Sequence, residues 1–143
     1  MKQPVVLDSF ALISFFHQEP GWETVRTVFK ELGEAGEKAA LSRINWGEFY
    51  YIVQRRVGRA KTLEALALIE QLPINVLSVD DLLISEAAEI KSEYPISYAD
   101  AFCVATARRL NARILTSDPE FKAVEKLVPV QWLTGKKKYD STD

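Results

Sequence analysis

The sequence predicts an α/β domain built on a parallel sheet, and three observations lead there. Short apolar runs alternate along the chain with longer segments whose apolar residues recur at helical spacing. The 143 residues suit one domain with a single core, and 48% hydrophobic with 27% charged residues is ordinary for a globular chain. No internal repeat, low-complexity block or interdomain linker interrupts the alternation.

Taken in order, Pro4 to Leu7 reads as a buried strand, followed by Asp8 and a helix through Phe10–Phe16. Pro20-Gly21 breaks that helix, and Trp22, Val25, Val28, Phe29 and Leu32 form the stripe of a second, closed by Gly33 and Gly36. Ala39–Ser42 is the second strand. The helix after it reaches Gly58, with Ile44, Glu48, Tyr51 and Ile52 expected on its core face. Gly47 inside that helix costs up to ~1 kcal/mol against alanine, so close packing or a nearby ligand is its expected reason. A helix over Ala60–Leu72 stops at Pro73. Ile74–Leu77 is the third strand, and Asp80 or Asp81 caps the helix that follows. Pro95-Ile96-Ser97 leads into a helix in which Asp100 shares a face with Cys103, Val104 and Ala107. Ala112–Thr116 and Val130–Leu133 are the last strands, with Ser117-Asp118-Pro119 opening a short helix between them. The domain is expected to span residues 1–134, and 135–143 to form a polar tail carrying Lys136, Lys137 and Lys138.

Four acids stand out by position. Glu48 and Asp100 lie among apolar residues on two helices, where an unpartnered carboxylate costs several kcal/mol, roughly. Asp8 and Asp118 follow strands one and four, at the carboxyl edge where parallel sheets bind ligands. Each of these two also has a purely structural reading as a helix N-cap. The only cysteine is Cys103 and the only histidine is His17, so a thiolate zinc site is excluded and any metal must be held by oxygen. His17, at an apparent helix end, reads as a surface or packing residue. The net charge of −2 argues against binding nucleic acid through bulk positive charge, but not through a bound metal and a local basic strip.

The segments Val6-Leu7-Asp8-Ser9-Phe10, Asn45-Trp46-Gly47-Glu48, Ser97-Tyr98-Ala99-Asp100 and Leu115-Thr116-Ser117-Asp118 together resemble the PIN-domain ribonucleases, in order and spacing, over Val5 to about Leu133. The nearest resemblance is to the VapC-type toxins of prokaryotic toxin–antitoxin pairs. It implies a three-layer α/β/α fold with strand order 3-2-1-4-5. It also implies that Asp8, Glu48, Asp100 and Asp118 form the family's acidic quartet, with Ser9, Asn45 and Thr116 as supporting polar residues. Ser117 stands where the family commonly has glycine.

The chemistry expected of such a quartet is hydrolysis of RNA, with the carboxylates holding Mg²⁺ (Mn²⁺ substituting) to activate water and stabilise charge on phosphate. Arg43, Arg55, Arg56, Arg59 and Lys91 are candidate phosphate contacts, though each reads more readily as solvated surface. The resemblance further implies a homodimer and a cognate antitoxin, and Phe10, Phe15, Phe16 and Trp22 are more aromatic than one small core obviously needs. A cytoplasmic location is expected, since no apolar run approaches ~20 residues and the start lacks a signal-peptide pattern. Two alternatives compete. One is a phosphoacceptor regulatory domain, which needs a lysine at a late strand end where this chain has Thr116-Ser117-Asp118. The other is a catalytically inactive PIN-like RNA-binding module.

Overall fold

The computed structural model describes residues 3–133, which leaves the expected tail outside the described residues. Strands β1 (Val5–Leu7), β2 (Ala39–Ser42), β3 (Ile74–Leu77), β4 (Arg113–Thr116) and β5 (Val130–Trp132) form one sheet in the order β3-β2-β1-β4-β5. Every neighbouring pair is parallel, so the expected topology is present. Val6 is registered against Ala40 on one side and Ile114 on the other. β1 is therefore central.

The side-chain alternation of the strands builds two cores. Val5, Leu7, Ala39, Leu41 and Leu115 face helices α1 (Ser9–His17), α2 (Trp22–Ala35), α3 (Arg43–Val57) and α4 (Arg59–Ile69). Val6, Ala40 and Ile114 face α5 (Asp81–Glu93), α6 (Tyr98–Leu110) and a 3-10 helix over Pro119–Val124. These are the three layers. The inner strands β1 and β2 are buried on both faces, which is why they read as continuous apolar runs.

Local chemistry starts and stops the helices where the strands end. Ser42 Oγ accepts from Ile44 N–H, Asp80 Oδ1 from Leu83 N–H and Ser97 Oγ from Asp100 N–H, each capping a helix. Gly36 closes α2 with φ +69°, a conformation that favours glycine.

Three expectations are corrected. The core stripe of α3 is Asn45, Phe49 and Val53, whereas Ile44 is 36% and Tyr51 50% exposed. The stripe is rotated by one residue, about 100° of helix, because a buried asparagine rather than an isoleucine anchors the turn. The expected close packing around Gly47 is also absent, since a Cβ built there meets nothing within 4 Å. Finally, the aromatic residues of α1, expected to exceed the needs of one core, are partly buried and pack against it. Phe15 meets Phe29 edge-on at 5.1 Å and Phe16 meets Phe49 at 5.4 Å. Among the described residues, no helix is long and apolar enough to cross a membrane.

Candidate active site

Asp8 is the first residue beyond β1 and occupies the extended N-cap position of α1, but its side chain makes no cap bond. Instead Oδ2 accepts the Thr116 hydroxyl at 2.8 Å, from the end of β4. Thr116 Oγ1 in turn accepts the Asp118 N–H at 2.9 Å. One threonine thus ties the acid after β1 to the acid after β4. Asp118 does act as an N-cap, its Oδ1 accepting from Glu120 N–H at 2.9 Å at the start of the 3-10 helix.

Glu48 reaches the same place from α3, held by a short hydrogen bond from the Ser9 hydroxyl to Oε1. Asn45, fully buried one turn earlier, donates from Nδ2 to the Ala99 carbonyl at 3.1 Å. That bond fixes α3 to the first turn of α6, where Asp100 lies 2% exposed. Asn45 therefore positions the backbone that carries Asp100, while Ser9 and Thr116 orient carboxylates directly. Asp8, Glu48 and Asp100 each bring an oxygen to within 4.8 Å of the others. Asp118 completes the expected group, lining a cavity of about 470 Å³ with Phe10, Glu48, Ser97, Asp100 and Glu120. All four predicted acids converge at one edge of the sheet.

The electrostatics are those of crowded, buried carboxylates. Burial pushes Asp8 up to about 7, and the Glu48 and Asp118 charges add to that, while the Thr116 hydroxyl and Ser9 N–H oppose it. Burial pushes Asp100 up to about 9, reinforced by the charges of Asp8, Asp118 and Glu48 and by a hydrogen bond from its protonated form to Glu120. Asp8 Oδ1 and Asp100 Oδ1 are both buried without a partner among the described residues. No lysine or arginine lines this cavity among the described residues. Such a donor set, all oxygen and short of positive charge, fits a hard divalent cation.

The sequence reading did not assign Glu120, although it stands two residues after Asp118. Only the 3-10 turn that brings it to the cavity shows its part. The expected phosphate contacts lie outside the cavity. Arg43 stacks over Trp46 at 4.8 Å and Arg55 over Tyr51 at 5.2 Å, while Arg56 pairs with Glu19 at 3.0 Å. Arg59 and Lys91 are exposed. Cys103 is buried behind Asp100, its thiol pushed up by burial, and acts in packing.

The PIN-domain family model matches residues 5–127, and the chain belongs to that family. No curated protein matches the sequence. Among solved structures, the fold is similar to that of VapBC2 from Rickettsia felis bound to a DNA fragment from its promoter, at TM-score 0.73 and 15% identity over 90% of this chain and 97% of that one. It is also similar to a toxin–antitoxin complex from Klebsiella pneumoniae, at TM-score 0.67 and 18% identity over 91% and 98%. A third similar structure is VapC20 from Mycobacterium tuberculosis, described as a sarcin–ricin loop cleaving toxin, at TM-score 0.67 and 19% identity over 84% and 94%.

Proposed function

We propose that this PIN-domain protein is a divalent-cation-dependent endoribonuclease and the toxin of a toxin–antitoxin pair. The observation that carries the reading is the pair of buried, unpartnered oxygens, Asp8 Oδ1 and Asp100 Oδ1, the second of them at a cavity whose described lining contains no lysine or arginine. Asp8, Glu48, Asp100 and Asp118 would hold the ion, Mg²⁺ or Mn²⁺. When bound, it would stabilise charge on the phosphate and make water more acidic.

The chain's own residues do the rest. Thr116 and Ser9 keep the Asp8 and Glu48 carboxylates turned toward one point. Asn45 and the Ser97 cap keep the first turn of α6 in register with α3. Phe10 forms an apolar wall of the cavity beside the acids. A single backbone phosphate of an unpaired or distorted RNA strand can enter such an open cleft, whereas a regular duplex presents its phosphates on a stiff surface. The similar structures described as toxin–antitoxin complexes support a protein antitoxin as partner, and the one described as a cleaving toxin supports the nuclease activity. The homodimer implied by the family resemblance and the cytoplasmic location expected from the sequence are part of this proposal. Light scattering at micromolar concentration tests the dimer.

The direct experiment incubates the protein with a mixed RNA pool in Mg²⁺, in Mn²⁺ and in chelator, alongside Asp8→Asn and Asp100→Asn. The expected result is cleavage that needs the cation and both acids. Cation-independent cleavage, or undiminished cleavage by both variants, overturns the reading. RNA binding without cleavage by the cation-loaded wild type would identify an inactive module instead.

A further inference from the structure

The rotation of α3 leaves a second face of that helix to be explained. Ile44, Glu48, Tyr51 and Arg55 fall along it, at i, i+4, i+7 and i+11. Glu48 carries this face into the carboxyl-edge cavity. Its neighbours belong to neither core, Ile44 being 36% and Tyr51 50% exposed. Residues three apart on a helix hold their Cβ atoms about 5–6 Å apart. Tyr51 is therefore the next side chain along from Glu48, at the rim of the cleft. Arg55 follows one turn later, with its guanidinium carbon 5.2 Å from the centre of the Tyr51 ring. Arg55 pairs with no acid among the described residues, whereas its neighbour Arg56 is taken by Glu19. The guanidinium steadies the ring, and half of the tyrosine stays open to solvent.

A steadied, half-open aromatic ring beside an acid-lined cleft has a fitting ligand. The acids can hold a phosphate through a cation, but they offer no flat apolar surface to a base. An unstacked nucleobase takes a π-face, and a guanidinium next to that face suits the phosphates of the same strand. We propose that Tyr51, backed by Arg55, is the stacking platform for the nucleobase that adjoins the phosphate held in the cleft. This deepens the ribonuclease reading and rests on it. A duplex keeps its bases stacked on one another and offers none to the ring, so the platform selects unpaired strands, loops and ends. Every base has a π-face, so it selects little among the bases themselves. A protein partner fits this face less well. Two exposed apolar side chains with an acid between them fall far short of the ~800 Å² per partner that a stable protein interface buries, whereas one ring suffices for one base.

The test follows cleavage of a mixed RNA pool in Mg²⁺ by wild type, Tyr51→Leu, Tyr51→Trp and Arg55→Gln. Two unlabelled competitors are added in turn, a short oligouridylate and an abasic ribose–phosphate strand of equal length. Tyr51→Leu keeps apolar bulk and loses the π-face. It should raise the apparent KM about tenfold and leave kcat within about twofold, the pattern of lost binding rather than lost chemistry. Tyr51→Trp should keep the wild-type KM, and Arg55→Gln should raise it about two- to threefold. Oligouridylate should inhibit wild type about tenfold more strongly than the abasic strand, and the two should inhibit Tyr51→Leu alike. Melting curves of the three variants should match wild type, because the ring belongs to neither core. An unchanged KM in Tyr51→Leu, with wild type active, overturns the platform and leaves the ribonuclease reading standing. A raised KM with the competitors still distinguished also overturns it. So does a raised KM accompanied by dissociation in light scattering, which assigns the ring to a contact between copies. A wild type that cleaves no RNA in Mg²⁺ or Mn²⁺ removes the ribonuclease reading, and the platform with it.

Discussion

Asp8 and Asp80 occupy equivalent places and behave as opposites. Each follows a strand and stands at a helix N-cap in extended conformation, the one leading into α1 and the other into α5. Asp80 uses the position as chemistry suggests. It caps Leu83 N–H at 2.8 Å, takes both guanidinium nitrogens of Arg109, and is held below its ordinary pKa by that arginine. Asp8 is fully buried, caps nothing, faces other acids and is raised to about 7. The difference teaches that an N-cap aspartate is structural when its lone pairs are satisfied by the fold. When the fold leaves one empty and surrounds it with like charge, something from outside must complete it.

The largest effect expected from that contrast is on activity. Asp8→Asn should lower RNA cleavage by ~10²-fold or more, the scale of one lost transition-state stabiliser. Asp80→Asn should leave cleavage at the wild-type rate. Equal losses in both would erase the distinction.

Next comes the pH dependence of metal affinity. Cation binding needs ionised carboxylates, and Asp8 and Asp100 hold protons up to about 7 and about 9 in the folded protein. Mn²⁺ affinity should therefore rise across that range, by up to about tenfold per pH unit for each proton released. A flat calorimetric profile, with no proton release in buffers of differing ionisation enthalpy, would contradict these raised values.

Smaller changes are expected in stability. Because the folded pKa values exceed the unfolded 3.8, these two acids favour the fold fully below about pH 4 and progressively less as pH rises through 7 and 9. In chelator, Asp100→Asn should thus be at least as stable as wild type, with the gap in its favour widening from mildly acid to pH 9. A gap that narrows instead would make Asp100 a stabilising residue. For wild type, Mg²⁺ at ten times its dissociation constant should add ~1.4 kcal/mol, or roughly 3–5 °C in melting temperature. Asp100→Asn should respond much less. The smallest effect falls on the structural acid. Asp80→Asn should lower the melting temperature by a few degrees at most and do so equally with and without metal.

The fold was legible because its punctuation is strong: Pro20-Gly21, Gly36, Pro73 and Pro95 separate segments of unambiguous period, and doubly buried strands announce themselves as apolar runs. The quartet was legible because acids at strand ends and among apolar helical residues are few. The rotation of α3 was not. Ile44 is as apolar as Phe49 and Val53, and nothing in composition says that Asn45 will be buried by a bond to the Ala99 carbonyl, a residue 54 positions away. Glu120 was missed for a related reason. Its part depends on the direction of one 3-10 turn and on a backbone N–H at Ser97, and neither leaves a spacing signature.

The hydrogen bond from Thr116 to Asp8 spans 108 residues, and that separation has a consequence for biosynthesis. Within this domain Asp8 is made early, and its partners on α6 and β4 are made late. At ordinary elongation rates the interval is roughly 5–20 s. Throughout it the nascent chain can form α1 to α4 against β1, β2 and β3, but it cannot assemble the carboxylate cluster. A ribosome that stalls or a message that is truncated before codon 118 therefore releases no chain with the complete quartet. Whatever the cluster does begins only once synthesis of the domain is all but finished.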